Sequence, residues 1–308
     1  MNTSYGLSPE ICPYLTVEKQ ANIRICKMDF SSLSQLHLFL LSDPPINSDV
    51  FYSKNSLNSS EEFAGAPLDV AIDYCIGGYE KDFSLFVKLK KDIDRVNVRV
   101  FHPRKVFPSV VGSRPNVPAF IAGAPKSMYR MERVQQKKFI TIYMNLAYTS
   151  GTTEAQIRNR GILTLNLIKI LEHNNYGVNF KVFEACHVEN EIFAASIGLK
   201  KTGELLNVKK CYYPLCGREF LRRVLSRVKE SMPFKERWNM SYGLLLSETQ
   251  TRNIMNIPED AIIIGPPSEM GIAGNDIYED ADDFWKKLHL SEEIIVPHYL
   301  KESKENRI

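Results

Sequence analysis

The chain has 308 residues, of which 44% are hydrophobic, 24% charged and 10% aromatic, a balance that excludes fibrous and unfolded classes and indicates a folded protein with a large core. Its 39 basic and 36 acidic residues leave a net charge of only +3, so total charge selects no partner and any preference must come from charge distribution. Six cysteines (Cys12, Cys26, Cys75, Cys186, Cys211, Cys216) are too sparse for a disulfide scaffold and read as buried thiols.

The opening MNTSYGLSPEICPYL has neither the basic nor the apolar segment of a secretory leader. The first strong apolar run, at 36–41, is far shorter than the roughly 20 residues that cross a bilayer. A cytoplasmic location with no membrane partner is expected. Apolar spacing at Phe30, Leu33, Leu36, Leu40 and Leu41 predicts a short helix within 28–41, with Ser31 and Ser32 as caps and Asp43-Pro44-Pro45 as its stop. The polar SKNSLNSSEE reads as a surface loop. A helix over 67–76 has Pro67 at its start and Gly77-Gly78 after its end, and a second over 80–93 lines up Phe83, Phe86, Leu89 and Ile93. Residues 1–97 are thus expected to form an N-terminal helical region.

Between 107 and 127 lie four prolines (Pro108, Pro115, Pro118, Pro125) and two glycines (Gly112, Gly123), arguing against regular structure. Val110, Val111, Val117, Phe120 and Ile121 are too apolar for a free linker, so residues 98–137 are expected to be a Pro-rich basic connector docked on the core. Beyond it the pattern changes. FITIYMNL at 139–146 predicts a buried strand, followed by the loop AYTSG and a long helix over 152–174 that opens on a Thr153/Gln156 capping box. Apolar residues surround that helix, which requires burial between layers. Strands at 178–186 and 192–199 are so closely joined that they predict an antiparallel hairpin. A helix over 218–231 turns Phe220, Leu221, Val224, Leu225 and Val228 inward and a basic face (Arg218, Arg222, Arg223, Arg227, Lys229) outward. The strand AIIIG at 261–265, a helix over 278–289 and a strand at 292–296 complete an α/β domain over 138–308, with a mostly parallel sheet flanked by helices.

This order of elements, with the hydroxyl-bearing loop after the first strand, resembles a von Willebrand factor A-type (Rossmann-like) domain. That family holds a divalent cation on an Asp-x-Ser-x-Ser motif. The matching positions here are Asn145, Ala147 and Thr149, and the late strand ends in Gly265-Pro266-Pro267, so the resemblance implies a metal-free site. Residues 117–119 (VPA) through 123–128 (GAPKSM), a strand ending in the loop Asn145 to Ser150, and a helix opening near Arg160-Gly161 are similar to a family of uncharacterised proteins from tailed-bacteriophage genomes. That likeness spans about 51–200 and implies a phage or prophage origin, with no activity to carry over.

Ligands of open α/β sheets gather at strand carboxyl ends, which points to Asn145, Tyr148, Thr149, Ser150 and Thr152 in one loop and Ser268 and Asn275 in another as a partner-binding edge. No phosphate-binding loop, nucleophile elbow or zinc set is present, and no catalytic residue, cofactor or metal is assigned. Charge is unevenly spread. Residues 99–138 hold nine basic residues against Glu132 alone, a local net of +8; residues 200–237 hold eleven against four, +7; residues 259–293 hold two against ten, −8. The leading expectation is a non-enzymatic adaptor that binds a phage or host protein. The alternative is a nucleic-acid-binding factor using Arg104, Lys105, Arg114, Lys126, Arg130, Arg133, Arg218, Arg222 and Arg223.

Overall fold

The computed structural model describes residues 7–97, 104–133, 138–174, 176–238 and 243–288. The chain opens on an antiparallel hairpin, β1 (Leu15–Gln20) and β2 (Ile23–Phe30), turning at Ala21 and Asn22 with Ala21 at φ 52°. A non-glycine residue at positive φ gives no Gly or Pro signal, so sequence reading passes over this turn. Helix α1 (Leu33–Leu41) starts at Ser32, whose side chain accepts from the Gln35 amide. Two single-turn helices, α2 (Asn55–Asn58) and α3 (Glu61–Ala64), lie in the polar loop. Then come α4 (Leu68–Gly77) and α5 (Phe83–Asn97), with Gly78 at φ 91° between them.

The expected irregular connector is instead a small sheet. It comprises β3 (Arg104–Ser109), β4 (Arg114–Pro115), helix α6 (Val117–Ile121) and β5 (Met128–Arg133), in the order β3-β5-β4. The prolines fall where regular structure tolerates them: Pro108 and Pro115 on the two outer strands, Pro118 in the first turn of α6, none in central β5. Nor is this region docked through its apolar residues, since Val110, Val111, Phe120 and Ile121 are exposed.

Next follow β6 (Lys138–Asn145), α7 (Glu154–His173), β7 (Tyr176–Val188) and β8 (Glu191–Lys200), with the Thr153/Gln156 capping box formed and β7 and β8 antiparallel. Helix α8 (Val208–Cys216) leads into a π-helical stretch, Phe220–Leu225, continued by α9 (Ser226–Glu230). The chain then forms β9 (Leu244–Leu245), α10 (Glu248–Met255), β10 (Ile262–Ile264) and α11 (Ile277–Lys287). The strand expected at 292–296 lies outside the described residues.

The main sheet has the order β1-β2-β8-β7-β6-β10, with β9 added to the end of β7. Strand β6 runs parallel to β7 and β10, β2 runs parallel to β8, and β1 to β2, β7 to β8 and β7 to β9 are antiparallel. The protein is therefore an α/β fold with a mixed sheet flanked by helices. Residues 1–97 do not form a separate helical region, because β2 joins the sheet beside β8 and α1, α4 and α5 share its core. Helix α7 is buried on nearly all sides between the sheet and α8, as its apolar circumference requires. A second apolar cluster covers the opposite face, where Tyr143, Phe183 and Ala194 meet Leu246, Ile254 and Ile257 around α10. Among the described residues, no helix is long and apolar enough to cross a membrane.

Gly161 of α7 lies so close to α8 that a Cβ there would stand 2.5 Å from the Leu215 carbonyl oxygen. Gly161→Ala must push these two layers apart, and we expect it to lower the unfolding free energy by about 1–3 kcal/mol, measured by urea denaturation.

Candidate functional site

The carboxyl end of β6 is closed by short-range bonds. The Asn145 side-chain oxygen accepts from the Ala147 amide at 3.0 Å, and the Leu146 amide donates to the Phe183 carbonyl at 2.7 Å. Behind this turn stands Arg160 of α7, fully buried, whose Nη1 donates to the Asn145 carbonyl at 2.8 Å and to the Gly265 carbonyl at 2.9 Å. One guanidinium thereby ties the end of β6 to the end of β10. Its Nε and Nη2 have no hydrogen-bond partner in the structure, and burial pulls its pKa down to about 10.

Beyond Asn145 the loop is fixed by helix-borne arginines. The Tyr148 hydroxyl donates to the Arg218 carbonyl at 3.3 Å, and the Thr149 and Thr152 hydroxyls lie 3.3 Å apart. Arg222 reaches across from the π-helical stretch, donating to the carbonyls of Ser150 at 3.2 Å and Phe63 at 2.5 Å. Its guanidinium lies 4.1 Å from the Phe63 ring centre and 5.4 Å from that of Tyr148. Burial raises the Tyr148 hydroxyl pKa, although Arg222 and Arg160 oppose the shift.

These groups surround a cavity of about 410 Å³. Its rim is apolar, with Phe63, Leu221, Leu244 and Leu245, and the loop Ala147, Tyr148, Thr149 and Ser150 forms one wall. The floor carries charge: Glu184 and Cys186 of β7 face Lys229 of α9. Lys229 and Glu184 form an ion pair with side chains only 1% and 5% exposed. Burial disfavours the Lys229 charge, but Cys186 and Glu184 outweigh it and hold the lysine above its ordinary value. Burial pushes the Cys186 thiol up to about 12, which leaves it a poor nucleophile. The second carboxylate oxygen of Glu184, Oε2, is buried without a hydrogen-bond partner.

The structure brings Asn145, Tyr148, Thr149, Ser150 and Thr152 together around the end of β6. Ser268 and Asn275 lie on a neighbouring exposed loop and do not line the cavity. That loop is positioned by Asp280 of α11, which accepts from the amides of Ala273 at 2.7 Å and Gly274 at 3.1 Å and from Asn159 of α7 at 2.8 Å. The Gln156 side chain adds a bond to the Ile272 carbonyl at 3.0 Å.

The basic residues separate into two groups. In the small sheet, register places Arg104 opposite Arg133, Lys105 opposite Glu132, Arg130 opposite Phe107 and Arg114 opposite Tyr129, and Lys126 is exposed just before β5. Arg218, Arg222 and Arg223 do not form an outward basic face. Arg218 donates to the Glu62 carbonyl at 2.8 Å, and Arg223 to the carbonyls of Ala66 at 3.0 Å and Ser59 at 2.8 Å. Arg227 is likewise buried, and its guanidinium pairs with Asp43 at 2.9 Å. The expected solvent face of 218–231 is thus an interior face, and Arg223 is out of reach of a phosphate backbone. Sequence reading missed Glu184 and placed Lys229 on the solvent face; the one available signal was a carboxylate within the apolar run of β7.

The divalent cation that A-type domains hold at this position does not fit the residues present here. The Asn145 carboxamide oxygen is spent on the Ala147 amide, and Arg160 sets a positive charge directly behind both strand ends. Among the described residues, no group of three or more His, Cys, Asp or Glu side chains is placed to hold a metal ion.

The chain belongs to the family described as Domain of unknown function (DUF7192), whose model matches residues 13–292. The match runs from just before β1 to beyond α11, so the hairpin, the small sheet and the main sheet fall within one family unit. No curated protein and no solved structure matches the chain.

Lys229→Met removes one half of the ion pair on the cavity floor and strands the Glu184 carboxylate in the interior. We expect it to cost about 3–5 kcal/mol in denaturant unfolding, and the double variant Lys229→Met/Glu184→Leu to recover a large part of that loss.

Proposed function

We propose that this chain is a non-enzymatic binding protein, an adaptor that engages a protein partner at the cavity beyond the carboxyl end of β6. The observation that carries this reading is the cavity itself: an apolar rim over a buried polar floor, placed where the loops of an α/β sheet gather. Leu244 is 63% exposed, Phe63 40% and Leu245 37%, an apolar surface that a partner would cover. Strand β9 pairs only with β7 among the described residues, which leaves its other edge for an extended segment of the partner. Exposed Ser268 and Asn275 enlarge the surface on the adjacent loop.

Binding is favoured over catalysis because the reactive groups on the floor are committed. Glu184 is paired with Lys229, the Cys186 thiol is pushed up to about 12, and the Ser226 hydroxyl donates to the Leu221 carbonyl at 3.2 Å. The strand order β8-β7-β6-β10, with β8 antiparallel and α7 crossing over between β6 and β7, supports an A-type core whose cation is replaced by Arg160. A phage or prophage setting and a cytoplasmic location in the host belong to the same reading, the first supported by the motifs at 117–128 and 145–150. To test it, a photo-crosslinking residue is placed at Ser150 or at Leu244, and captured partners are identified by mass spectrometry. Both positions should capture the same protein, and Thr149→Arg should reduce that capture roughly tenfold; different partners at the two positions, or capture untouched by Thr149→Arg, would refute the placement.

A second reading, nucleic-acid binding, is favoured by one observation only: exposed Arg114, Lys126 and Arg130 gather on the small sheet beside exposed Phe107 and Phe120. It predicts an affinity for labelled duplex that falls steeply with salt, with the slope reduced by about one unit for each of Arg114→Ala and Lys126→Ala. An affinity indifferent to ionic strength would sink it.

A further inference from the structure

Residues 107–130, which carry most of the small sheet, include no buried residue, and none of their side chains joins either apolar cluster of the described chain. The stretch is nevertheless rich in apolar groups: Val110, Val111, Val117, Phe120 and Ile121 are between 54% and 80% exposed. Strand register shows where they gather. Ser109 at the end of β3 and Pro115 at the end of β4 both stand opposite Met128 at the start of β5. The turn with Val110 and Val111 and helix α6 with the other three therefore leave the sheet at the same end. At the opposite end Arg104 is in register with Arg133, where the chain enters and leaves the small sheet. The apolar end is held in shape from within: the Ser113 amide donates to the Tyr129 carbonyl at 3.1 Å, a Cβ on Gly112 would clash with that same carbonyl, and the Asn116 side chain accepts from the Ala119 amide at 3.3 Å.

Cations follow directly behind this end. Arg114 stands opposite Tyr129, Arg130 opposite Phe107, and Lys126 comes just before β5. All three are exposed, and residues 107–130 contain no acid. A preformed apolar patch of this density marks a surface that something covers, and its charge selects the occupant. A second copy would set the same cations against one another. Nucleic acid would satisfy the cations, but four of the five apolar side chains are aliphatic, with no ring to stack on a base and no hydrogen bond for its edge. An anionic bilayer matches both parts at once: its acyl chains take up aliphatic side chains and the Phe120 ring, and its phosphates face the cations behind them.

We propose that the apolar end of the small sheet seats the protein on the surface of an anionic phospholipid bilayer. Val110, Val111, Val117, Phe120 and Ile121 enter the boundary between headgroups and acyl chains, and Arg114, Lys126 and Arg130 lie at the level of the lipid phosphates. Seating of this kind needs no helix that spans the membrane. It uses the cations that the nucleic-acid reading assigns to a duplex, so the two readings compete for one surface.

The test is co-sedimentation of the full chain with vesicles of mixed phosphatidylglycerol and phosphatidylcholine, beside vesicles of phosphatidylcholine alone. The chain should pellet with the anionic vesicles and bind the neutral ones roughly tenfold more weakly. Phe120→Ser/Ile121→Ser, at exposed positions that contribute to neither core, should weaken binding to the anionic vesicles by a similar factor, and Arg114→Ala and Lys126→Ala by roughly fivefold each. Insertion is read separately: the fluorescence added by Phe120→Trp should be quenched by lipids brominated in their acyl chains. Failure to pellet with anionic vesicles, pelleting unchanged by Phe120→Ser/Ile121→Ser, or a chain that ignores vesicles and binds labelled duplex through Arg114 and Lys126 would overturn the proposal.

Discussion

The structure depends on the burial of a strongly basic helical segment. Between Arg218 and Lys229 five cations point into the protein, and each is met by oxygen: main-chain carbonyls for Arg218, Arg222 and Arg223, Asp43 for Arg227 and Glu184 for Lys229. Desolvating a guanidinium or ammonium costs several kcal/mol per ion, so the partners must be in place before the segment can be buried. That requirement shapes the chain around it. The polar stretch that carries α2 and α3 is held against the basic segment through the carbonyls of Ser56, Ser59, Phe63 and Ala66, and Ser56 is further held by Glu230. A segment with the composition of a free surface loop is thus tied to the core, and the cavity beyond β6 lies along its border.

A second buried cation organises the sheet. Arg160 joins the ends of β6 and β10 through two carbonyls, the junction at which ligands of open α/β sheets bind. A metal-binding domain of similar layout would place anionic oxygens there. This chain has an amide already bonded to its own turn and a permanent positive charge behind it. The charge needs no cofactor, and it biases the strand ends toward electronegative groups, among them the carbonyls that hold it.

Part of this organisation is legible in the sequence. The run FITIYMNL, the Thr153/Gln156 box and the all-round apolar α7 are local patterns, and β6, α7 and the β7–β8 hairpin form as those patterns require. Among site residues, the loop Tyr148–Thr152 was found because strand carboxyl ends are where such loops lie. The hairpin β1–β2 was missed because Ala21 makes its turn without glycine. The small sheet was missed because prolines were read as forbidding strands, when they are excluded only from the central one.

What the sequence by itself determined is the set of elements whose stability is local or rests on apolar periodicity: most of the long strands and helices, the α/β class and the loop beyond β6. Tertiary structure alone decided the fate of the charges. On a helix with 3.6 residues per turn, Arg222, Arg223 and Lys229 read as a solvated face, but the π-helical turn at Phe220–Leu225 shifts that register, and the oxygen atoms that receive them come from residues 55–66, from the loop beyond β6 and from β7. Whether a charge is exposed or buried depends on partners 45 to 184 positions away in the chain, which no local pattern encodes. For that reason the loop beyond β6 was legible in the sequence while the buried Glu184–Lys229 pair was not.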